Sequence, residues 1–193
     1  MGVRIGVLDL QGDVSEHTGA FRQALDQAGL LEGSDVITLR RAEQIPSCDG
    51  FAIPGGESTT ISKLIDKNRM REPIGEFQGG IFATCAGLIV MARKVPDVRV
   101  HPLGLLDIDV ERNAFGRQKD SFEADLPVKG LETPFHAVFI RAPIITRIGD
   151  GVEVLAEVDG NPVAVRQGKH LGMSFHPELS GDTRLHQLFL RNL

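Results

Sequence analysis

The chain has 193 residues, of which 41% are hydrophobic and 24% charged, a composition typical of one domain with a sizeable core. Its formal net charge of -5 and its scattered Lys and Arg residues exclude the positive field that attracts nucleic acid, so no nucleic-acid partner is expected. Only two cysteines occur, Cys48 and Cys85, without a CxxC pair or a His-rich cluster, so neither a disulfide framework nor a metal site is predicted.

The N-terminal sequence MGVRIGVLDL leads directly into an apolar strand and does not resemble a cleavable signal. No apolar run approaches the roughly 18 residues that a membrane-spanning helix needs. We therefore expect a cytoplasmic protein with no membrane contact, and nothing in the composition calls for a cofactor.

The predicted elements of the first half alternate between short strands and helices. Helices are predicted over residues 14–28, from near Ser58, and through AGLIVMARKV after Cys85. The predicted strands are VRIGVLDL, DVITL, GFAIP and GGIFAT. This alternation predicts βαβ units on a parallel sheet.

The second half favours additional strands joined by tight turns. Turn residues occur at Asp159-Gly160 and Gln167-Gly168, and a final helix over residues 182–192 has Ser180 or Asp182 as capping candidates. The strands predicted here are LGLLDIDVE, SFEADL, HAVFIRAP, VEVLAEV, PVAVRQG and HLGMSF. We predict a single α/β domain over residues 1–193, with a mostly parallel sheet flanked by helices and antiparallel strands added in the second half.

Cys85 is a candidate nucleophile because it falls between a predicted strand and a predicted helix. Its neighbours in the string ATCAG are small, as a sharp strand-turn-helix elbow requires. The start of the following helix would favour the thiolate form. A small buried cysteine at a sheet edge is the alternative interpretation, and for a lone cysteine it is the more common one.

His176 and Glu178 are the candidate partners of that nucleophile. In an extended backbone, residues two apart point to the same side, and Pro177 is expected to keep this segment out of a helix. A carboxylate beside an imidazole can fix its tautomer and stabilise its charged form. The tripeptide alone is more often a surface turn, so its proximity to Cys85 has to come from the fold.

The string PGGES over residues 54–58 follows the predicted strand GFAI, at the edge of a parallel sheet where ligands bind. The backbone of Gly55 and Gly56 can approach a ligand closely, and the N–H of Gly56 together with that of Ala86 could form an oxyanion hole. A turn that only starts the next helix, with Glu57 as its cap, is the alternative.

Taken together, PGGES, TCAG and FHPE resemble the class I, triad-type glutamine amidotransferases, which have a three-layer, flavodoxin-like fold. More specific strings, namely QGDVSEH, PGGESTT, VERNAFGRQ, DSFEADL and FIRAP, resemble the glutaminase subunits of pyridoxal 5'-phosphate synthase, the PdxT/SNO family. The similarity extends from residue 3 to the C-terminus.

The resemblance implies a glutaminase in which Cys85 attacks the side-chain amide of L-glutamine and forms a thioester, with His176 transferring protons and Glu178 orienting it. It also implies a synthase subunit as partner, which uses the ammonia, a pentose phosphate and a triose phosphate to make the vitamin B6 cofactor. The residues that it places in the glutamine pocket are Gly55, Gly56, Glu57, Arg112, Ile140 and Arg141.

Two other functions remain open from the sequence: a glutamine module that serves a different acceptor, and an inactive α/β scaffold that regulates a partner. Retention of all three triad residues argues against the scaffold. His17, in QGDVSEH, is interpreted as an interface candidate, since the polar segment at the start of the first helix could contact a partner or order the site. Arg117 is a weaker candidate than Arg112 for binding the glutamine carboxylate.

Overall fold

The computed structural model describes residues 2–112 and 121–193. The five α-helices of these residues are α1 (Val14–Gln27), α2 (Ser58–Lys67), α3 (Arg71–Gly75), α4 (Ala86–Met91) and α5 (Arg184–Leu190). Short 3-10 helices lie at Ala42–Ser47 and Pro177–Leu179. The strands are β1 (Arg4–Leu8), β2 (Asp35–Leu39), β3 (Gly50–Ile53), β4 (Gly80–Thr84), β5 (Ala92–Lys94), β6 (Leu106–Glu111), β7 (Ser121–Leu126), β8 (Phe135–Ile140), β9 (Ile144–Ile148), β10 (Glu153–Val158), β11 (Asn161–Gln167) and β12 (His170–Met173).

A seven-stranded sheet forms the centre of the fold, with the strand order β10-β11-β12-β4-β3-β1-β2. The five strands from β12 to β2 are parallel, while β10, β11 and β12 pair in an antiparallel manner. Separate sheets contain β5-β6-β9 and β7-β8. The predicted mixed sheet, with its antiparallel strands contributed by the second half, is confirmed.

Apolar runs place β3 and β4 in the middle of this sheet, because every residue of both strands is buried. A parallel strand buried on both faces needs cover on both sides. One face packs against α1, α5 and the β7-β8 pair through residues such as Phe21, Phe189 and Phe139. The other face packs against α2, α4 and the β5-β6-β9 sheet through residues such as Ile61 and Leu88. The result is the expected three-layer arrangement.

Some predicted elements are wrong in extent or were missed. The helix after Cys85 ends at Met91 rather than continuing through AGLIVMARKV, because Ala92–Lys94 forms a strand that pairs with β6. Neither β9 nor the five-residue helix α3 was predicted. The last helix is shorter than expected. Thr183 occupies its N-cap position without a capping side-chain hydrogen bond, while the side chain of Asp182, one of the two candidates, accepts from the N–H of Arg184 at 2.9 Å.

Four adjacent parallel strands, β12, β4, β3 and β1, end at the same edge of the sheet. The segments that follow them contain FHPE, Cys85, PGGES and QGDVSEH respectively. Because ligands bind at the carboxyl ends of parallel strands, this edge is the expected position of the site. No helix within residues 2–112 and 121–193 is long and apolar enough to span a membrane.

Candidate active site

Cys85 occupies a strained turn between β4 and α4. Its backbone has φ 48° and ψ -105°, in a region that non-glycine residues rarely adopt, and its N–H donates to the Met173 carbonyl at 2.8 Å. The turn is tight, since a Cβ atom added to Gly87 would lie 2.0 Å from the Ile53 carbonyl oxygen. This is the strand-turn-helix elbow expected for a nucleophile.

The pairing of β12 with β4 brings His176 to Cys85. Met173 pairs with Thr84 in the parallel register, so the chain leaves both strands at the same level. The backbone N–H of His176 donates to the Val138 carbonyl at 2.9 Å, which anchors the segment against β8. The side chain of His176 then lies in the same pocket as Cys85. The fold therefore brings Cys85 and His176 together, although they are far apart in the sequence.

Glu178 pairs with His176, but the backbone between them is not extended as expected. Pro177 begins the 3-10 helix Pro177–Leu179, with His176 at its N-cap. Proline is tolerated in the first turn of a helix because the N–H that it lacks has no partner within the helix there. The pair still forms, with 2.7 Å between His176 Nδ1 and Glu178 Oε1, and the Glu178 side chain is fully buried.

Three neighbours favour the charged form of His176. Burial alone lowers the pKa of this imidazole, but hydrogen bonds with Asp13, Cys85 and Glu178 outweigh burial and raise the pKa above its usual 6.5. Burial raises the pKa of Glu178, and the hydrogen bond from His176 opposes that rise. The arrangement can therefore hold a proton on His176 next to the thiol.

Asp13 is a site residue to which the sequence interpretation assigned no role. Its Oδ2 lies 3.4 Å from His176 Nδ1, and the hydrogen bond with His176 lowers the pKa of Asp13. Among the described residues, Asp13, His176 and Glu178 form the one set with ligand atoms close enough for a metal ion, within 4.8 Å of one another. Since His176 Nδ1 is already bonded to Glu178, the set is better suited to handling a proton than to binding a cation.

The glycines of PGGES pack directly against the site. A Cβ atom on Gly55 would lie 2.5 Å from His176 Cε1, and Gly56 has φ 145°, a conformation that favours glycine. The N–H of Glu57 donates to Gln11 Oε1 at 2.8 Å, so this loop is tied to the segment after β1. The close approach seen at Gly55 is to His176, and the approach to a ligand stays a prediction.

Glu57 also has the helix-starting role considered as the alternative. Its carboxylate accepts hydrogen bonds from the N–H groups of Thr59 and Thr60 at the start of α2. Although burial alone raises the pKa of Glu57, hydrogen bonds from the Thr59 hydroxyl, from these two N–H groups and from the Thr60 hydroxyl lower it to about 2. Arg112 Nη2 donates to Glu57 Oε1 at 3.0 Å, and Arg112 Nη1 pairs with Asp97.

A pocket of about 320 Å³ opens above Cys85. Gly55 and Glu178 do not line this pocket, but both lie against His176. The backbone of Gly55 packs on the imidazole, and the carboxylate of Glu178 is hydrogen-bonded to it. The Ile140 carbonyl oxygen lies 3.8 Å from Cys85 Sγ. The lining combines the predicted Gly56, Glu57, Cys85, Ala86, Arg112, Ile140, Arg141 and His176 with four residues that were not predicted, Asp13, Ser58, Ile89 and Leu179.

Two predictions from the specific strings have different outcomes. The interpretation of His17 as an interface residue is wrong, because its side chain is fully buried between α1 and the sheet. The polar string QGDVSEH gives no sign of this burial, because the inward direction of His17 depends on where the helix begins, at Val14. Arg117 and residues 113–118 of VERNAFGRQ lie outside the described residues.

Known relatives match this chain over its full length. A relative from Methanosphaerula palustris, named pyridoxal 5'-phosphate synthase subunit PdxT, is 63% identical and covers 100% of this chain and 98% of its own length. A relative of the same name from Methanoregula boonei is 59% identical and covers 99% of each chain.

Solved structures agree as well. A crystal structure of a glutamine amidotransferase matches with a TM-score of 0.86 and 46% identity, over 97% of each chain. The CTPS glutaminase domain of Trypanosoma brucei shares the fold alone, with a TM-score of 0.56 and 13% identity over 98% of this chain and 93% of its own. The model of the SNO glutamine amidotransferase family matches residues 7–193. The chain therefore belongs to the SNO glutamine amidotransferase family.

Proposed function

We propose that this protein hydrolyses L-glutamine to L-glutamate and ammonia as the glutaminase subunit of a pyridoxal 5'-phosphate synthase. The observation that carries the proposal is the position of Cys85 on a strained elbow, in one pocket with a His176 that is hydrogen-bonded to Glu178. The name shared by the full-length relatives supports the choice of synthase.

In the proposed reaction, the Cys85 thiol gives its proton to His176 and its sulfur attacks the side-chain carbonyl carbon of glutamine. His176 gives its proton to the leaving nitrogen, so ammonia departs and a thioester remains on Cys85. Water then attacks the thioester and His176 takes a proton from that water. His176 returns this proton to the departing sulfur, so glutamate leaves and the thiol is restored. Glu178 keeps His176 oriented and stabilises its charged form throughout.

The pocket offers suitable groups for the rest of the substrate. The N–H groups of Ala86 and Gly56 are the proposed oxyanion hole, and a single donor of this kind contributes roughly 2.7–4 kcal/mol to lowering the barrier. Arg112 has five N–H donors, of which its pairs with Asp97 and Glu57 leave some for a carboxylate. We assign the glutamine α-carboxylate to Arg112, with Glu57, Ile140 and Arg141 lining the remainder.

The proposed partner is the synthase subunit that combines this ammonia with a pentose phosphate and a triose phosphate. Direct transfer through an internal channel would keep ammonia unprotonated until it reacts. We further propose that residues 1–193 form one glutaminase domain and that hydrolysis is slow until the synthase subunit docks. The coupling would prevent waste of glutamine.

Replacing Cys85 tests the reaction, with Cys48 as a matched control. Cys48 is also buried but lies beside the 3-10 helix Ala42–Ser47, outside the candidate site. With the synthase subunit present, Cys85→Ala is expected to lower ammonia release from glutamine by at least ~10³-fold, whereas Cys48→Ala keeps the wild-type rate. Ammonia and glutamate are measured together in a coupled assay.

Two results would count against the proposal. Full activity of Cys85→Ala would remove the nucleophile assignment. If the wild-type protein hydrolysed glutamine equally well with and without the synthase subunit, the dependence on docking would be wrong, while the glutaminase assignment would stand.

A further inference from the structure

His17 lies on the side of Glu178 opposite to His176. It belongs to the first turn of α1, and its side chain is completely buried. Its Nε2 lies 3.4 Å from Glu178 Oε2, whereas His176 binds the other oxygen, Oε1. The same Nε2 lies 3.0 Å from the hydroxyl of Thr84, the residue immediately before Cys85.

The surroundings of His17 define its protonation. The ring packs edge-on against Phe82 at 5.8 Å and lies 6.0 Å from the ring of His186, and burial lowers its pKa well below 6.5, so the imidazole is neutral. A neutral imidazole carries one N–H. Nδ1 has no hydrogen-bond partner among the described residues, whereas Nε2 faces a carboxylate and a hydroxyl. The proton therefore belongs on Nε2.

Glu178 needs such a donor. Its side chain is fully buried, and a buried carboxylate with one oxygen unpaired is costly in its charged form. Oε2 has no hydrogen-bond partner among the described residues, and His17 Nε2 lies 3.4 Å from it, close enough to become that partner after a small shift. A donor there favours the ionised carboxylate and restricts rotation about the bond that would turn Oε1 away from His176.

We propose that His17 is a positioning residue of the glutaminase reaction, whose Nε2–H holds Oε2 of Glu178 so that Oε1 remains directed at His176. Through Thr84 the same imidazole also links the carboxylate to the strand that carries Cys85. This role rests on the proposed glutaminase function and adds a fourth, buried member behind the three residues that perform the chemistry.

The test compares His17→Leu, which fills the space without a donor, with His17→Gln, which can place an amide N–H near the Nε2 position. His186→Leu is the matched control, since His186 is equally buried and packs on the same Phe82, but neither of its ring nitrogens has a hydrogen-bond partner among the described residues. All variants are assayed for glutamine hydrolysis with the synthase subunit present, alongside wild type and Cys85→Ala.

His17→Leu is expected to lower kcat about 10- to 100-fold, by analogy with removal of the hydrogen-bond partners that orient metal-binding side chains, with KM changed less than about twofold. His17→Gln should recover most of kcat, and His186→Leu should match wild type. A wild-type kcat in His17→Leu, or equal losses in His17→Leu and His186→Leu, would overturn the proposal.

The pH profile distinguishes positioning from mere packing. Three titratable groups lie next to Glu178, namely His176, Asp13 and His17. A fourth, His186 on α5, lies beyond His17, with 6.0 Å between the two ring centroids. Without the donor, the carboxylate is harder to ionise, so the acidic limb of kcat/KM in His17→Leu should move to higher pH. An unmoved limb would contradict the role.

A measurement on the tautomer of His17 needs no glutamine. Nitrogen-15 spectra of histidine-labelled protein should assign a neutral ring with its proton on Nε2 to His17, and that signal should be absent from His17→Gln. A proton on Nδ1 would overturn the proposal. If instead Cys85→Ala proves as active as wild type, the glutaminase proposal fails while the tautomer result still decides whether His17 donates to Glu178.

Discussion

Gly55 shows how closely the backbone packs against the reacting side chains. A methyl group at this position would lie 2.5 Å from His176 Cε1 and 3.0 Å from Asp13 Oδ2, so the imidazole would have to move. A displacement of about 1 Å can lower a rate by ~10²-fold. We therefore expect Gly55→Ala to reduce kcat for glutamine hydrolysis by about 100-fold.

The control for this substitution is Gly19→Ala. Gly19 is an exposed residue of α1, and apart from the backbone of that helix and the adjacent residues, an added Cβ would meet no described atom within 4 Å. This change should leave kcat unaltered and stabilise the protein by up to about 1 kcal/mol, because alanine favours helix more than glycine. Equal kcat values for both variants would show that His176 tolerates the crowding at Gly55.

At the residue scale, the sequence predicts the reacting groups better than the residues that support them. Cys85 is recognisable from its small neighbours and His176 from the carboxylate two positions away, because both signals are local. Asp13 and His17 have no local signal of this kind. Their contacts depend on how the start of α1 faces the end of β12, and only the packed sheet determines that.

At the scale of elements, Arg112 connects the end of β6 to the start of α2. One terminal nitrogen pairs with Asp97 and the other with Glu57. Lysine has a single charged nitrogen and cannot make this fork. We expect Arg112→Lys to raise the KM for glutamine about tenfold with a smaller change in kcat, since one charge-assisted hydrogen bond contributes ~1.5 kcal/mol or more.

Arg99→Lys is the corresponding control. Arg99 also pairs with Asp97, but its side chain is 68% exposed and does not line the pocket above Cys85. Steady-state kinetics with the synthase subunit should give wild-type KM for this variant. If both lysine variants raise KM equally, the loop around Asp97 rather than Arg112 determines glutamine affinity.

The elements that the sequence predicts correctly are those with a strong local pattern. The strands β2 and β7 match the predicted strings DVITL and SFEADL, and the hairpin between β10 and β11 turns at Asp159 and Gly160, both with positive φ. The missed strand β9 is only partly buried and is defined by pairing with β6, a contact distant in sequence. Non-local pairing of this type leaves little periodic signal.

At the scale of the whole molecule, two buried histidines couple stability to pH. Burial lowers the pKa of His186 to about 3, whereas the unfolded chain has a value near 6.5. Between these two pKa values His186 binds a proton in the unfolded state but not in the folded state. His186 therefore does not lower the free energy of unfolding above about pH 6.5, and lowers it progressively as the pH falls below that value. His17 acts in the same direction.

The raised pKa of His176 changes the free energy of unfolding with pH in the opposite direction. Because His176 is present in both proteins, the difference between wild type and His186→Leu isolates the contribution of His186. Between pH 7 and pH 5 the wild-type free energy of unfolding should fall by about 2 kcal/mol more than that of His186→Leu, at ~1.4 kcal/mol per pH unit below 6.5. Urea titrations at both pH values measure the difference. Parallel losses in the two proteins would mean that His186 is not neutral in the folded state.

The backbone conformation of Cys85 affects which substitutions selection for stability would favour at this position. A non-glycine residue with φ 48° and ψ -105° makes the folded state about 1–3 kcal/mol less stable than a turn with relaxed backbone angles would. Glycine would relieve that strain, and it would also remove the sulfur. Laboratory evolution for heat resistance alone would therefore favour the loss of the nucleophile, and retention of Cys85 requires selection for turnover as well as for folding.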